Sequence, residues 1–306
     1  MAFKLYNFCL DSAKIPLISS NEKLLDRLTI FKLPNSLNCG HDMKAILASA
    51  RDPAGQNVIA KLLELFDFKR ANIPNVREAH VYDDVLATTV DSVLQLTSLP
   101  IAAEEVIVAS RHASESEKPT LTVHAPGEIE KRKLAVASPP TIKSALKSLA
   151  RMRDEFGLAY EVSLEATHHG PTKLDVPVTF VEVGSSQRQW QDEKAAEAAA
   201  YAIMEAATAP IEGRQAMGFG GPHYAPRHTD IVLRTDVCIG HIIPKYVYVD
   251  EGLVRSAVER TRGGVQLFVL DWKGLDASAR VKIMKIATKI GATAVRGHEL
   301  MKEANI

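Results

Sequence analysis

Residues 164–186 read LEATHHGPTKLDVPVTFVEVGSS, and the second half of that stretch decides the fold. VTFVEV (178–183) is a short run rich in β-branched residues that passes through Gly184, Ser185 and Ser186 straight into an alanine-rich segment. A buried strand delivered directly into a helix start is the building unit of an α/β sheet. Outward from it the same rhythm recurs. Candidate strands are Ala45–Ser49, Val106–Ala109, Leu121–His124, Leu134–Ala137, Val178–Val183, Ala216–Phe219, Val265–Leu270 and Ala292–Val295.

The helices between them are marked by their ends. SPPTIKSALKSLARMR (138–153) offers Ser138 as N-cap and prolines in the first turn, with Ile142, Ala145, Leu146 and Leu149 on one face. A second helix is expected from Ser186 to Thr208, opened by a Ser186/Gln189 capping box and stopped by Pro210. Two more are expected over Leu253–Arg262 and Ser278–Lys289, giving a βαβ-like tail. The expectation is one α/β domain over 43–306 with a single large mixed sheet flanked by helices.

At 306 residues, 46% of them apolar, the chain can bury a core of that size. Thirty-seven basic residues balance 37 acidic ones, so contact with nucleic acid requires a local patch. No window approaches the apolar length of a membrane span. Cys9, Cys39 and Cys238 are too few and too far apart for a disulfide framework, which favours a reducing compartment and a cytoplasmic location. Residues 1–42 read as a poorly ordered extension. Organelle import through them is the second reading, set against Asp11, Glu22, Asp26 and Asp42, acids that targeting peptides normally lack.

Chemistry concentrates at the strand ends. His112, His124, His168, His169, His223, His228 and His241 sit at the end of a candidate strand or in glycine- and proline-marked turns. In open α/β sheets such positions bind ligands, and imidazole there can exchange protons or hold a divalent metal. Any one of these histidines is equally well a loop residue bonded to backbone; five such segments together point to a site. His168 and His169 are adjacent, so one of the two rings is expected to face a shared pocket.

Glu182 points opposite to Val181 and Val183, either into a pocket or out at an edge. Ser185 and Ser186 offer hydroxyls at a helix start that could hold an anion, or simply cap the helix. The glycines of GFGGPHYAPRHT (Gly218, Gly220, Gly221) permit close backbone approach to a ligand. Nucleotide-triphosphate and dinucleotide fingerprints are missing, as is a GxSxG elbow. On the helix after Ser138, Lys143, Lys147 and Arg151 recur every four residues and form one basic face, a solvated surface or a track for a nucleic-acid backbone.

ASRHAS, LTVH, LEATHHGP, FVEVGSS followed by Trp190, GGPHYAPRHTDI, GHIIPKY and DWKG (271–274), in that order, resemble the D-aminoacyl-tRNA deacylases of the archaeal and plant type. Pro222 departs from the pattern, standing where the family is expected to have a third glycine. The resemblance implies a fold akin to peptidyl-tRNA hydrolases and nucleoside phosphorylases, zinc dependence, and hydrolysis of the ester joining a D-amino acid to tRNA. It makes His168, His169, His223 and Glu182 the candidate catalytic residues. Zinc would be held by a subset of His112, His124, His169, His223 and His241. Glu165, Ser185, Ser186, Gly220, Gly221, Tyr224, Lys245, Lys143, Lys147 and Arg151 are the candidates for binding the charged tRNA. In this reading the glycine-rich backbone supplies oxyanion donors and a wall against L-residues. A phosphorylase-like enzyme that cleaves nucleosides and a non-catalytic tRNA-binding protein are the alternatives.

Overall fold

The computed structural model describes residues 43–303, so the extension over 1–42 lies outside the described residues. β1 (Lys44–Ser49) leads into α1 (Pro53–Leu65), followed by β2 (Lys69–Ala71), β3 (Ala79–Tyr82) and β4 (Val85–Val90). Next come β5 (Glu105–Arg111), β6 (Thr120–His124), a hairpin of β7 (Gly127–Glu128) and β8 (Lys133–Leu134), and α2 (Pro139–Glu155). β9 (Glu161–Leu164) and β10 (Val178–Gly184) precede α3 (Gln187–Trp190) and α4 (Glu193–Thr208). The C-terminal part holds β11 (Arg214–Phe219), α5 (Pro226–Arg234), β12 (Val237–Ile243) and α6 (Glu251–Glu259). It ends with β13 (Leu267–Leu270), α7 (Ala277–Ile290), β14 (Thr293–Arg296) and α8 (Gly297–Glu303).

The large mixed sheet flanked by helices is there, in the order β2-β3-β4-β1-β5-β10-β6-β9. Its centre, β4-β1-β5-β10, is parallel, so four strands end at one edge. Alternation along β10 sends Val181 and Val183 into the main core, while Phe180 joins the cluster on the opposite face. The βαβ-like tail does not join this sheet. It builds a second, four-stranded, all-parallel sheet in the order β12-β11-β13-β14, with its own core around Phe219 and Phe268. Backbone bonds stitch the two sheets together: Ala166 N–H donates to His223 O (2.7 Å), Ala225 N–H to Leu164 O (2.9 Å) and Thr167 N–H to Ile242 O (3.0 Å).

Local chemistry explains where the elements depart from expectation. The helix anticipated over 186–208 is two, because the Asp192 carboxylate accepts from the backbone N–H groups of Lys194 and Ala195 and starts α4 afresh. Its alanines then allow α4 to pack closely against α2 and α1. The strand anticipated over Leu134–Ala137 is reduced to Leu134, at the end of β8, and two isolated bridges, Val136 with Pro177 and Ala137 with Thr261. The strand anticipated from Val265 starts at Leu267.

α2 also corrects the basic face. Lys143 is 2% exposed, because α2 is covered on several sides rather than one. Its ammonium donates to the carbonyls of Thr235 (2.6 Å) and Val237 (3.1 Å), joining the end of α5 to the start of β12. Burial lowers its pKa. Lys147 is exposed, and Arg151 is taken up by Glu155 and Glu205. The three cations therefore form no track. Lys143→Met, which leaves the two carbonyls without their donor, should lower the unfolding free energy by roughly 1–3 kcal/mol in urea titrations. Lys147→Met should change it by less than about 0.5 kcal/mol.

Candidate active site

The carboxyl ends of β1, β4, β5 and β10 open into a cleft of about 850 Å³. It is lined by Ser49–Asp52, Asp91–Gln95, Ser110–Ala113, His168, His169, Glu182 and His223. Asp52 closes its floor. One oxygen caps α1 through Gly55 N–H (3.0 Å), and the other accepts from Arg111 N–H (2.8 Å) and the Ser110 hydroxyl (3.1 Å). The carboxylate thus ties the end of β1 to the end of β5.

At the centre His112 stands between two buried carboxylates, its Nδ1 3.0 Å from Glu165 Oε1 and 3.5 Å from Glu182 Oε2. The alternation of β10 that buries its valines elsewhere puts Glu182 in the cleft, as the pocket reading expected. Gly184 is what lets His112 in: a Cβ there would stand 2.6 Å from His112 Cβ and 2.7 Å from its carbonyl oxygen. Burial alone would depress the His112 pKa, but Glu165 and Glu182 outweigh it and raise it to about 11. Its Nε2–H then donates to the Tyr224 hydroxyl at 2.6 Å. Burial pushes Glu182 up, yet His112 and His169 bring it down to about 2. Glu165 is likewise held well below the carboxylate range, against its burial, by His112 and His223. Two carboxylates against one imidazolium leave one net negative charge.

Four more rings face this charge. His168 Nε2 lies 3.4 Å and His223 Nε2 3.1 Å from Glu165 Oε2, and His169 Nε2 lies 3.8 Å from Glu182 Oε1. His124, at the end of β6, stacks on Phe180 and brings its Nε2 to 3.3 Å from His169 Nε2. Contrary to the expectation of divergent neighbours, His168 and His169 both line the cleft, with ring centroids 4.3 Å apart. The reason is backbone: His169 adopts a left-handed φ of 40°.

The tautomers follow from the partners. His168 Nδ1 faces Ala166 O at 2.8 Å and His169 Nδ1 faces Gly170 O at 2.7 Å. A carbonyl only accepts, so each Nδ1 carries a proton and each Nε2 is free to act as a lone-pair donor or to take a second proton. Burial, followed by the neighbouring histidines, lowers the pKa of His168 and lowers that of His124 well below its ordinary value. Burial opposes the charge on His169 too, but Glu182 raises its pKa. His124 Nδ1 is buried without a partner.

A divalent metal fits this donor set. Ligand atoms of His124, His168 and His169 lie within 4.8 Å of one another. Two nitrogens bound to one tetrahedral zinc at about 2.05 Å each would sit about 3.3 Å apart, the separation seen between His124 and His169. His168 and His169, with Nδ1–H groups fixed on carbonyls, present Nε2 in the form that ligates metal. Of the other histidines expected to ligate, His223 with Glu165 and His168, and His112 with Glu165 and Glu182, form two further groups whose ligand atoms lie within 4.8 Å of one another, with His112 also bonded to Tyr224. His241 is displaced from the site altogether. Its ring is buried in β12, between the Thr167 hydroxyl and the carbonyls of Ala135 and Arg260, and burial holds its pKa near 4.

Other expected binding groups are placed elsewhere. The Ser185 hydroxyl donates to Lys118 O (2.7 Å), that of Ser186 donates to Gln189 (2.7 Å), and the helix they precede has four residues. Neither is free for an anion. Gly220 and Gly221 have φ of +88° and +81°. The Gly220 N–H is spent on Ile243 O (2.8 Å), so it supplies no oxyanion donor, and neither glycine lines the cleft. Lys245 is exposed, with its backbone N–H bonded to Gly221 O (2.9 Å). Sequence reasoning missed Asp52 and Arg111 as cleft residues; the signal was RDP (51–53), an N-cap and an N1 proline directly after a strand.

A family model described as D-aminoacyl-tRNA deacylase matches residues 99–295. The D-aminoacyl-tRNA deacylase of Methanosarcina barkeri is 36% identical, covering 84% of this chain and 90% of its own length. That of Thermococcus kodakarensis is 34% identical over 83% of this chain and all of its own. A crystal structure of a conserved protein of unknown function, AF0625, superposes with a TM-score of 0.78 at 28% identity, over 85% of this chain and 97% of that one.

The central ion cluster sets a pH window. His112, raised from 6.5 to about 11, stabilises fully below 6.5, and that contribution is lost as pH rises through about 11. Glu182, lowered from 4.5 to about 2, stabilises fully above 4.5 and loses it as pH falls toward 2. Urea midpoints of the wild type and His112→Gln should therefore differ most between pH 4.5 and 6.5 and converge toward pH 11. A difference independent of pH would contradict the charged state of His112.

Proposed function

Because the chain belongs to the D-aminoacyl-tRNA deacylase family, we infer that it hydrolyses the ester joining a D-amino acid to the terminal ribose of tRNA, releasing both. The observation that carries this reading is the meeting of five imidazoles and two buried carboxylates in one cleft. Ester hydrolysis needs an activated water, a seat for the oxyanion and a proton for the departing ribose oxygen.

His124, His168 and His169 are the residues that would hold a zinc ion; bound there, zinc would act as a Lewis acid and lower the pKa of a water. His223 is the proton carrier in this scheme. Its Nε2–H donates to Glu165 at 3.1 Å, so its Nδ1 is the atom that takes a proton from the attacking water and returns it to the ribose oxygen. The residual negative charge of Glu165 and Glu182 receives the α-ammonium of the aminoacyl group. His112 keeps both carboxylates ionised and, through Tyr224, fixes the loop that carries His223. The phosphorylase alternative loses its anion seat with the engagement of Ser185 and Ser186. No helix among the described residues is long and apolar enough to cross a membrane. A cytoplasmic location belongs to the same reading, together with the buried free thiol of Cys238.

The test charges tRNA with D-tyrosine and with L-tyrosine and follows ester loss with and without a chelator. The D-ester should decay fast and the L-ester at the buffer rate. A chelator should abolish the difference and added zinc restore it; indifference to chelation sinks the metal alone. His169→Ala and His223→Ala should each lower kcat by about 10²–10⁴-fold while changing tRNA affinity little.

A further inference from the structure

Apart from His223, the carboxyl edge of the second sheet is not used by the mechanism above, yet it carries an unusual surface. Because β11, β12, β13 and β14 are all parallel, the segments that follow them emerge on one rim. After β11 come Gly220, Gly221 and His223; after β12, Lys245, Tyr246 and Tyr248; after β13, Trp272 and Lys273; and β14 ends in Arg296. The rim is continuous with the catalytic cleft, since Lys245 N–H is bonded to Gly221 O two residues before His223.

Its side chains mix aromatic and cationic groups, of which Lys245, Tyr246, Tyr248, Lys273 and Arg296 are exposed while Trp272, Arg280 and Lys282 are part-buried. Tyr246 is 61% and Tyr248 72% exposed, the two most exposed large apolar side chains among the described residues. Lys282 of α7 lies over the Tyr248 ring at 4.0 Å, and Arg280 and Arg296 lie over Trp272 at 4.7 and 4.1 Å. Lys245, Lys273 and Lys282 make no ion pair among the described residues, whereas Arg296 has Glu299 at 3.8 Å. The Asp271 carboxylate is packed against the loop's own glycines: a Cβ on Gly274 would stand 2.7 Å from its Oδ2. Besides Glu299, the exposed acids beside the rim are Glu130, next to Tyr246, and Asp276 at the start of α7, so cations and aromatic rings outnumber them.

Resting on the deacylase reading, we propose that this rim is the docking surface for the tRNA acceptor arm. Lys245, Lys273 and Lys282 meet backbone phosphates, and Tyr246 and the face of Tyr248 not covered by Lys282 are open to unstacked bases. Phosphate contacts position an RNA without reading its sequence, and aromatic faces accept any base. The rim replaces the track anticipated on α2, whose first lysine is buried.

The experiment measures binding of uncharged tRNA by the full chain between about 50 and 300 mM salt, independently of catalysis. Lys273→Glu/Lys282→Glu should weaken binding by about 10–100-fold and flatten the log–log salt slope by about 2. Tyr248→Ala should weaken binding with little change of slope. Lys69→Glu, on the far edge strand β2, should bind as the wild type does. Hydrolysis of the small ester 3′-D-tyrosyl-adenosine should be unaffected by the rim variants, which also certifies their fold. Unchanged tRNA affinity and slope in the double variant would overturn the rim, even with D-ester hydrolysis intact. Conversely, loss of binding in the double variant supports the rim even should the wild type leave the D-ester untouched, an outcome that removes only the deacylase reading.

Discussion

The site depends on one imidazolium held between two buried carboxylates. Glu165 and Glu182 are each less than 5% exposed, and an unpaired ion at such depth costs several kcal/mol. His112 makes their joint burial tolerable, and Gly184 makes room for His112. Everything else is arranged around the charge that is left over. His168 and His223 gather on Glu165, and His169 on Glu182. His124 is kept neutral by burial behind them. Deleting His112 would expose the carboxylates to each other in a low-dielectric pocket and remove the reason for the histidines to converge.

The second organising constraint is topological. The catalytic groups come from the ends of β5, β6 and β10, from the loop after β9, and from the loop after β11 of the other sheet. The antiparallel bridge between Glu165 and Tyr224 joins those last two segments. Its backbone bonds set the distance between Glu165 and His223, so the acid that orients the proton carrier is fixed by main chain rather than by side-chain rotamers alone. Asp52 serves the same end on the opposite side of the cleft.

Much of this was legible in the residues. VTFVEV gave the central strand and the inward Glu182, because period-two alternation is a local rule that the sheet obeyed. The clustering of histidines at strand ends foretold the cleft. What failed were inferences that need knowledge of the surroundings. Lys143 fits an exposed helical face by spacing, and only the packing of β12 and α4 around α2 shows that it is enclosed. His241 sits in a glycine-marked strand like its catalytic counterparts, yet three backbone and hydroxyl partners already satisfy it. Adjacent His168 and His169 turn to one side through a left-handed backbone that no spacing rule encodes. The split into two sheets was hidden because each C-terminal strand looks like any other parallel strand.

The stitching of two sheets at the site also has a temporal side. His223 and Glu165 are 58 residues apart in the chain, and Tyr224 and His112 are 112 apart. Contacts this remote carry a large loop-closure cost and are disfavoured until intervening segments have ordered. The eight strands of the first sheet are all synthesised before the ribosome reaches His223. A nascent chain therefore carries its two acidic groups, with His112 already available to neutralise one of them, well before its proton carrier exists. Competence for hydrolysis arrives last, with the docking of the C-terminal lobe.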